Sequence, residues 1–234
     1  MKTGVISMAA GSSYIEFDKT KVICGVYGPR QSSSDYSDKA EVKCDIRFAS
    51  FALKDKRKPF LPGNEETEIS LRVREAIEVS ILLEKFPKSI IEVNVIILEG
   101  NGNITGAAIT ASSIALADAG IVTYDFVTAC SVSKFGNELL LDPSEEEEKQ
   151  QTGSFQIAYM PTLKQITQLS QGGELSVSET VKALELCLSG CYLIHELIKK
   201  HFKKLLTKQS QKSLLLKQLE LQEDQEEIAQ PPSN

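Results

Sequence analysis

The chain has little of what most enzymes use for chemistry. Its 234 residues include only two histidines, His195 and His201, six positions apart, and 6% aromatics. Two histidines on one segment support neither a nucleophilic triad nor a metal site. The five cysteines (Cys24, Cys44, Cys130, Cys187, Cys191) are an odd number with no CxxC pair. That argues against a disulfide framework and a zinc site, and fits a reducing compartment. No apolar run reaches the roughly 18–20 residues that cross a bilayer, and residues 1–14 lack the continuous apolar stretch of a secretory signal. The expectation is a soluble, unexported protein with no cofactor.

What is present is globular in composition, with 41% hydrophobic and 25% charged residues, which excludes a disordered, collagen-like or coiled-coil chain. The net charge of −6 is unevenly placed. Residues 209–234 hold two lysines and five acids, and the run Glu145, Glu146, Glu147, Glu148 holds four more. The remainder is close to neutral and can present local basic surfaces, so an acidic total does not exclude RNA as a partner.

Along the chain, alternating apolar positions at 13–17, 21–27 and 42–48 read as strands, the first two forming a hairpin. Residues 54–63, KDKRKPFLPG, contain two prolines and a glycine and expose four basic residues in five, which makes a basic loop. Asn64 is the expected cap of a helix with Ile69, Val73, Ala76, Ile77 and Leu83 at 3.6-residue spacing, ended by Pro87. The β-branched run 90–98 reads as a strand covered on both faces. The Ala-rich segment 107–119, closed by Gly120, reads as a helix whose small side chains allow very close, central packing. Further strands are expected at 127–135, 138–141, 155–160 and 165–169. Ser176 and Glu179 form a capping box for a last long helix. Beyond residue 207 the composition turns to Gln, Lys, Glu and Pro, and the expectation is a polar, acidic, disordered tail over 208–234. The fold class is α+β, one domain over 1–207 with two similar halves possible.

Taken alone, few groups stand out. His195 lies on the apolar seam of the last helix, where a buried histidine is the ordinary outcome. Cys187 and Cys191 share a helix face, where small buried hydrophobes are the default. The turn Gly100-Asn101-Gly102-Asn103 ahead of a helix could hold a phosphate on backbone N–H groups, but ordinary strand-to-helix turns look the same.

Jointly, the segments resemble a family. GSSYIEFDKTKVICGVYGPRQ (11–31) and ITGAAITASSIALADAGI (104–121) resemble two recognisable blocks of RNase PH-like proteins. A third block, LDPSEEEE (141–148) followed by GSFQIAYMP (153–161) and QGGELS (171–176), lies where that family has its acidic catalytic segment. The stretches CDIRFASF (44–51) and TYDFVTACSVS (123–133) are similar to eukaryotic exosome ring members of the family. The resemblance spans residues 4–205. It implies two β-α-β-α halves, mixed sheets packed against helices, and a place in a six-membered ring that threads single-stranded RNA. Other RNase PH-like ring subunits and exosome cap subunits are then the implied partners, and nucleus, nucleolus and cytoplasm the implied location.

Active family members use inorganic phosphate to attack the RNA 3′ end. The resemblance places their Gly-Ser/Thr-Arg phosphate motif on Asn103, Ile104 and Thr105, so that arginine is replaced by Thr105 and the hydroxyl by Ile104. It places their two aspartates on Glu148 and Ser154, leaving one altered carboxylate. These losses favour a non-catalytic ring subunit over a working phosphorolytic exoribonuclease. An unrelated α+β enzyme would need an acid/base constellation that is absent. For the run 145–148 the bland reading is a solvated loop. For RNA contact, Lys54, Lys56, Arg57 and Lys58, with Arg47 as companion, are the candidates. A solvated loop or a patch facing an acidic neighbour competes with that reading, because no aromatic is interleaved with these cations to stack bases.

Overall fold

A computed structural model describes residues 1–32, 37–54, 57–59, 61, 63–136 and 138–229, with side chains described through residue 207. Met1–His195 form one compact unit and a second begins at Glu196.

Alternation and β-branching produce the strands the sequence calls for. Strands β1 (Lys2–Thr3), β2 (Gly11–Phe17), β3 (Thr20–Gln31), β4 (Glu41–Phe48) and β5 (Ser89–Glu99) form a sheet in the order β1-β2-β3-β5-β4. The β2–β3 hairpin is antiparallel, whereas β4 runs parallel to β5 because helix α1 (Asn64–Glu78) supplies the crossover between them. Strands β6 (Thr128–Phe135), β7 (Glu138–Leu141), β8 (Gly153–Met160) and β9 (Gln165–Gly173) form a second, wholly antiparallel sheet in the order β7-β6-β8-β9. This is the expected α+β fold.

Helix α2 (Ile104–Asp118) lies between the sheets, and every residue from Gly106 to Leu116 is buried. A helix apolar all round can be stable only inside, and its short side chains let strands come close. Ser13 Oγ donates to Ala111 O at 2.6 Å, while Thr110 Oγ1 and Ser113 Oγ accept from the backbone of Ala129 and Val127. A Cβ on Gly11 would stand 2.2 Å from Ala119 N, so β2 and α2 meet as bare backbone.

The second sheet packs on the start of α4 (Val177–Ala229) through Cys130, Val132, Phe155, Ile157, Tyr159, Ala183, Cys187 and Cys191. The Cys187 and Cys191 thiols donate to the carbonyls of Cys130 and Thr128. Burial pushes the Cys187 thiol up to about 12, which makes it a packing group and not a nucleophile. His195 is buried edge-on to Phe126, 6.2 Å between centroids.

Two local expectations change. Helix α1 is capped at Gly63, whose N–H donates to Glu66, so Asn64 is its first residue. It ends at Glu78 and not at Pro87, because Ile81 pairs with Thr123 and Ser80 Oγ turns back to Ile77 O. Helix α4 runs from Val177 to Ala229. Residues 208–229 contain no Pro or Gly and are rich in Gln, Glu, Lys and Leu, which are good helix formers.

Candidate functional site at the amino end of the central helix

Strand β5 hands over to α2 through a turn that few residues tolerate. Gly102 has φ of +96°, and a Cβ there would lie 2.1 Å from Pro143 O, so the segment after β7 presses against it. Asn103 is left-handed at φ 41° and caps α2. Thr20 Oγ1 donates to Gly102 O and accepts from Asn101 N, pinning the turn to β3.

The run of four glutamates is not the solvated loop that its charge suggests. It forms a single helical turn, α3 (Glu145–Glu148), capped by Ser144, which hydrogen-bonds Glu147. These bonds hold the Glu147 carboxyl below its ordinary value. The turn aims Glu148 inward, where its Oε1 accepts the Asn103 N–H at 2.9 Å, while Asn103 Nδ2 donates to Asp142 at 2.6 Å. Burial raises Glu148 above the usual carboxylate range; the Asn103 bond opposes that, and Asp142 and Glu145 reinforce it.

Asn103, Ile104, Thr105, Glu148 and Ser154 all line one cavity of about 540 Å³. Its floor is the face of the second sheet turned away from α4, where β-register sets Ser131, Gln156 and Ser170 side by side and Ser133 opposite Ser154. The cavity's cation, Arg72, is tied to Glu68 at 2.5 Å. The carboxylates do not converge: among the described residues no three His, Cys, Asp or Glu side chains are grouped to hold a metal ion. Glu148 is engaged by Asn103 and Ser154 brings only a hydroxyl, so this donor set does not fit a divalent cation.

The basic candidates separate. Lys54 and Arg57 are exposed. Lys58 is only 18% exposed, ion-paired to Glu65, 3.9 Å from Glu66, and 5.0 Å over the Phe48 ring. Arg47 pairs with Asp45 at 2.9 Å. Lys56 lies outside the described residues. Phe51, which sequence reasoning passed over, is 72% exposed and shares a surface pocket with Lys21 and Lys54. Its signal was its place three residues ahead of Lys54, hidden because it falls before the basic run.

Two family models describe the chain. The 3′ exoribonuclease family, domain 1, matches residues 1–122, and domain 2 of that family matches residues 125–190. The chain belongs to the 3′ exoribonuclease (RNase PH) family. The boundary falls between α2 and β6, so the two models divide the molecule into its two sheets. The chain is 39% identical over 202 residues to an Arabidopsis thaliana protein called exosome complex component RRP41-like, covering 85% of this chain and 77% of that one. It is 37% identical over 199 residues to exosome complex component Rrp41 of Pyrococcus furiosus, covering 84% and 79%. In fold it resembles rice Rrp46, with a TM-score of 0.75 at 19% identity over 85% of this chain and 91% of that one. It also resembles the Archaeoglobus fulgidus exosome with RNA bound to the active site, with a TM-score of 0.74 at 20% identity over 83% and 85%.

Proposed function

We propose that this protein is a non-catalytic ring subunit of an RNA exosome, which scaffolds the complex and helps guide single-stranded RNA toward 3′-to-5′ processing elsewhere in it. Family membership and the exosome names of its relatives support the assembly. The observation that carries the absence of catalysis is the Glu148 carboxylate on the Asn103 N–H. Where the family motif would offer a helix N-terminus and an arginine to an anionic phosphate, this chain offers Thr105 and fills the N–H with its own carboxylate. A phosphate entering there would meet like charge in a partly desolvated site and find no bidentate cation. Each loss removes several kcal/mol of the stabilisation a phosphoryl transition state needs, by the usual worth of such contacts.

Purified chain incubated with single-stranded RNA, Mg²⁺ and inorganic phosphate is expected to release no nucleoside diphosphates. Turnover that disappears in Glu148→Ala would overturn the reading. The competing reading, an active phosphate-dependent exoribonuclease, draws on the 39% identity to the RRP41-like relative, and the same assay decides it.

Within the ring, the stretches 44–51, 123–133 and 139–148 support the subunit called exosome component six, whereas the relatives carry the Rrp41 name. Co-purification with mass spectrometry of the assembled complex, including its ring and cap subunits, separates the two. The nuclear, nucleolar and cytoplasmic location is part of this proposal, tested by imaging the tagged chain. RNA guidance rests on Lys54 and Arg57, with Lys56 of the same loop. Phe51 beside Lys54 supplies the stacking face whose lack counted against the loop. Lys58 and Arg47, held by carboxylates, contribute less.

A further inference from the structure

We propose that the cavity at the amino end of α2 binds a lysine or arginine side chain presented by a partner polypeptide. The proposal rests on the reading that this cavity performs no phosphorolysis.

Three of its carboxylates already have cations: Glu68 has Arg72, Glu65 has Lys58, and Glu145 has Lys149 at 2.9 Å. Glu148 has none among the described residues, although it is partly buried. Two polar floor residues lie in the same cavity. Gln156 is 9% exposed and lines the cavity. The Ser131 hydroxyl is buried without a hydrogen-bond partner among the described residues. These groups offer acceptors: a carboxylate, an amide carbonyl and a hydroxyl. Ammonium and guanidinium groups are donor-only, with three and five N–H respectively, and satisfy such a set without adding an acceptor.

The walls favour a side chain over a bare cation. Ile69, Ile104 and Leu53 line the approach, and apolar walls beside a charged end suit the methylene stem of Lys or Arg. The volume of about 540 Å³ exceeds what one ammonium group fills and leaves room for the stem. RNA meets the opposite condition, because its phosphates would face Glu148 and the paired glutamates.

The test titrates the full chain against a fluorescein-labelled hexalysine peptide at low salt, read by anisotropy. Glu148→Gln is expected to weaken binding about fivefold or more, the usual scale for one charge-assisted contact. Glu84→Gln, an exposed acid outside the cavity, should leave it unchanged. Thr105→Glu adds a carboxylate at the first turn of α2, where the helix dipole tolerates it, and should tighten binding. Equal affinity in all four proteins overturns the proposal. It is also overturned if spermidine binds with this dependence while the peptide does not, or if labelled oligouridylate binds with it. Phosphorolysis is measured on the same preparation. Turnover there defeats the functional reading, whereas Glu148-independent peptide binding without turnover defeats this inference alone.

Discussion

Glu148 shows how one inward-turned carboxylate shapes a site. Its carboxylate is partly desolvated and has no cation among the described residues, yet it is retained against the Asn103 N–H. A native carboxyl raised above its unfolded value binds extra protons in the folded state. Its charge therefore costs stability fully above the native value, and that cost disappears as pH falls below the ordinary carboxylate value near 4.5. Glu148→Gln keeps an oxygen for the Asn103 N–H and removes the charge. Its melting temperature is expected to equal or exceed wild type at pH 7 and to converge with it near pH 4. A variant clearly less stable at pH 7 would show that the charge itself holds the α2 turn. Sequence reasoning found this position only as a degenerate catalytic one. The contact joins residues 45 apart, and nothing in EEEE says which of the four glutamates turns inward; the Ser144 cap decides it.

At the scale of elements, the legible parts were those where one physical cause acts alone. Helix α2 announces itself through Ala, Gly and Ser over 15 residues, because only an enveloped helix can afford so little side-chain bulk. Strand β5 is legible from its β-branched run. The end of α1 was not, because the pairing of Ile81 with Thr123 overrides a periodicity that continues to Leu83. The close approach of β2 to α2 also left no pattern, since one glycine at the head of a strand says nothing about what lies against it. Gly11→Ala is expected to cost roughly 2–3 kcal/mol, the scale of overpacking where both partners are backbone, measured by chemical denaturation. The start of α4 gives a prediction with a pH signature. Glu179 donates no proton there: it accepts from Lys134 at 2.8 Å and from Ser176 N–H, and these hold it down to about 2. A depressed native value adds stability that is present above about 4.5 and is lost as pH falls toward 2. Glu179→Gln should therefore lower the melting temperature at pH 7, with the deficit shrinking steadily below pH 4.5. A deficit independent of pH would assign the effect to the cap alone.

On the scale of the molecule, two sheets enclose α2, and each sheet ends in strands with one open side. Strand β9 is the edge of the second sheet and is flanked by exposed apolar side chains: Ile166 is 45% and Leu169 49% exposed. Val177 and Val181 on the first turns of α4 are exposed as well. An edge with unpaired N–H and C=O groups beside apolar side chains is what isolated proteins hide with charge or bulges; β9 has one register shift, at Thr167, and no charged residue along its length. A ring subunit has less need of such protection because its neighbours cover the edge. The isolated chain is thus expected to self-associate at micromolar concentration and to become monodisperse when co-expressed with RNase PH-like neighbours, as read by size-exclusion chromatography with light scattering. Ile166→Lys with Leu169→Lys should raise the monomer fraction of the isolated chain without lowering its melting temperature, because both side chains are half in solvent, and should impair entry into the ring if β9 is an assembly edge. A wild-type chain that runs as a stable monomer would count heavily against the ring role, since it would leave an exposed apolar edge strand without the neighbour that accounts for it.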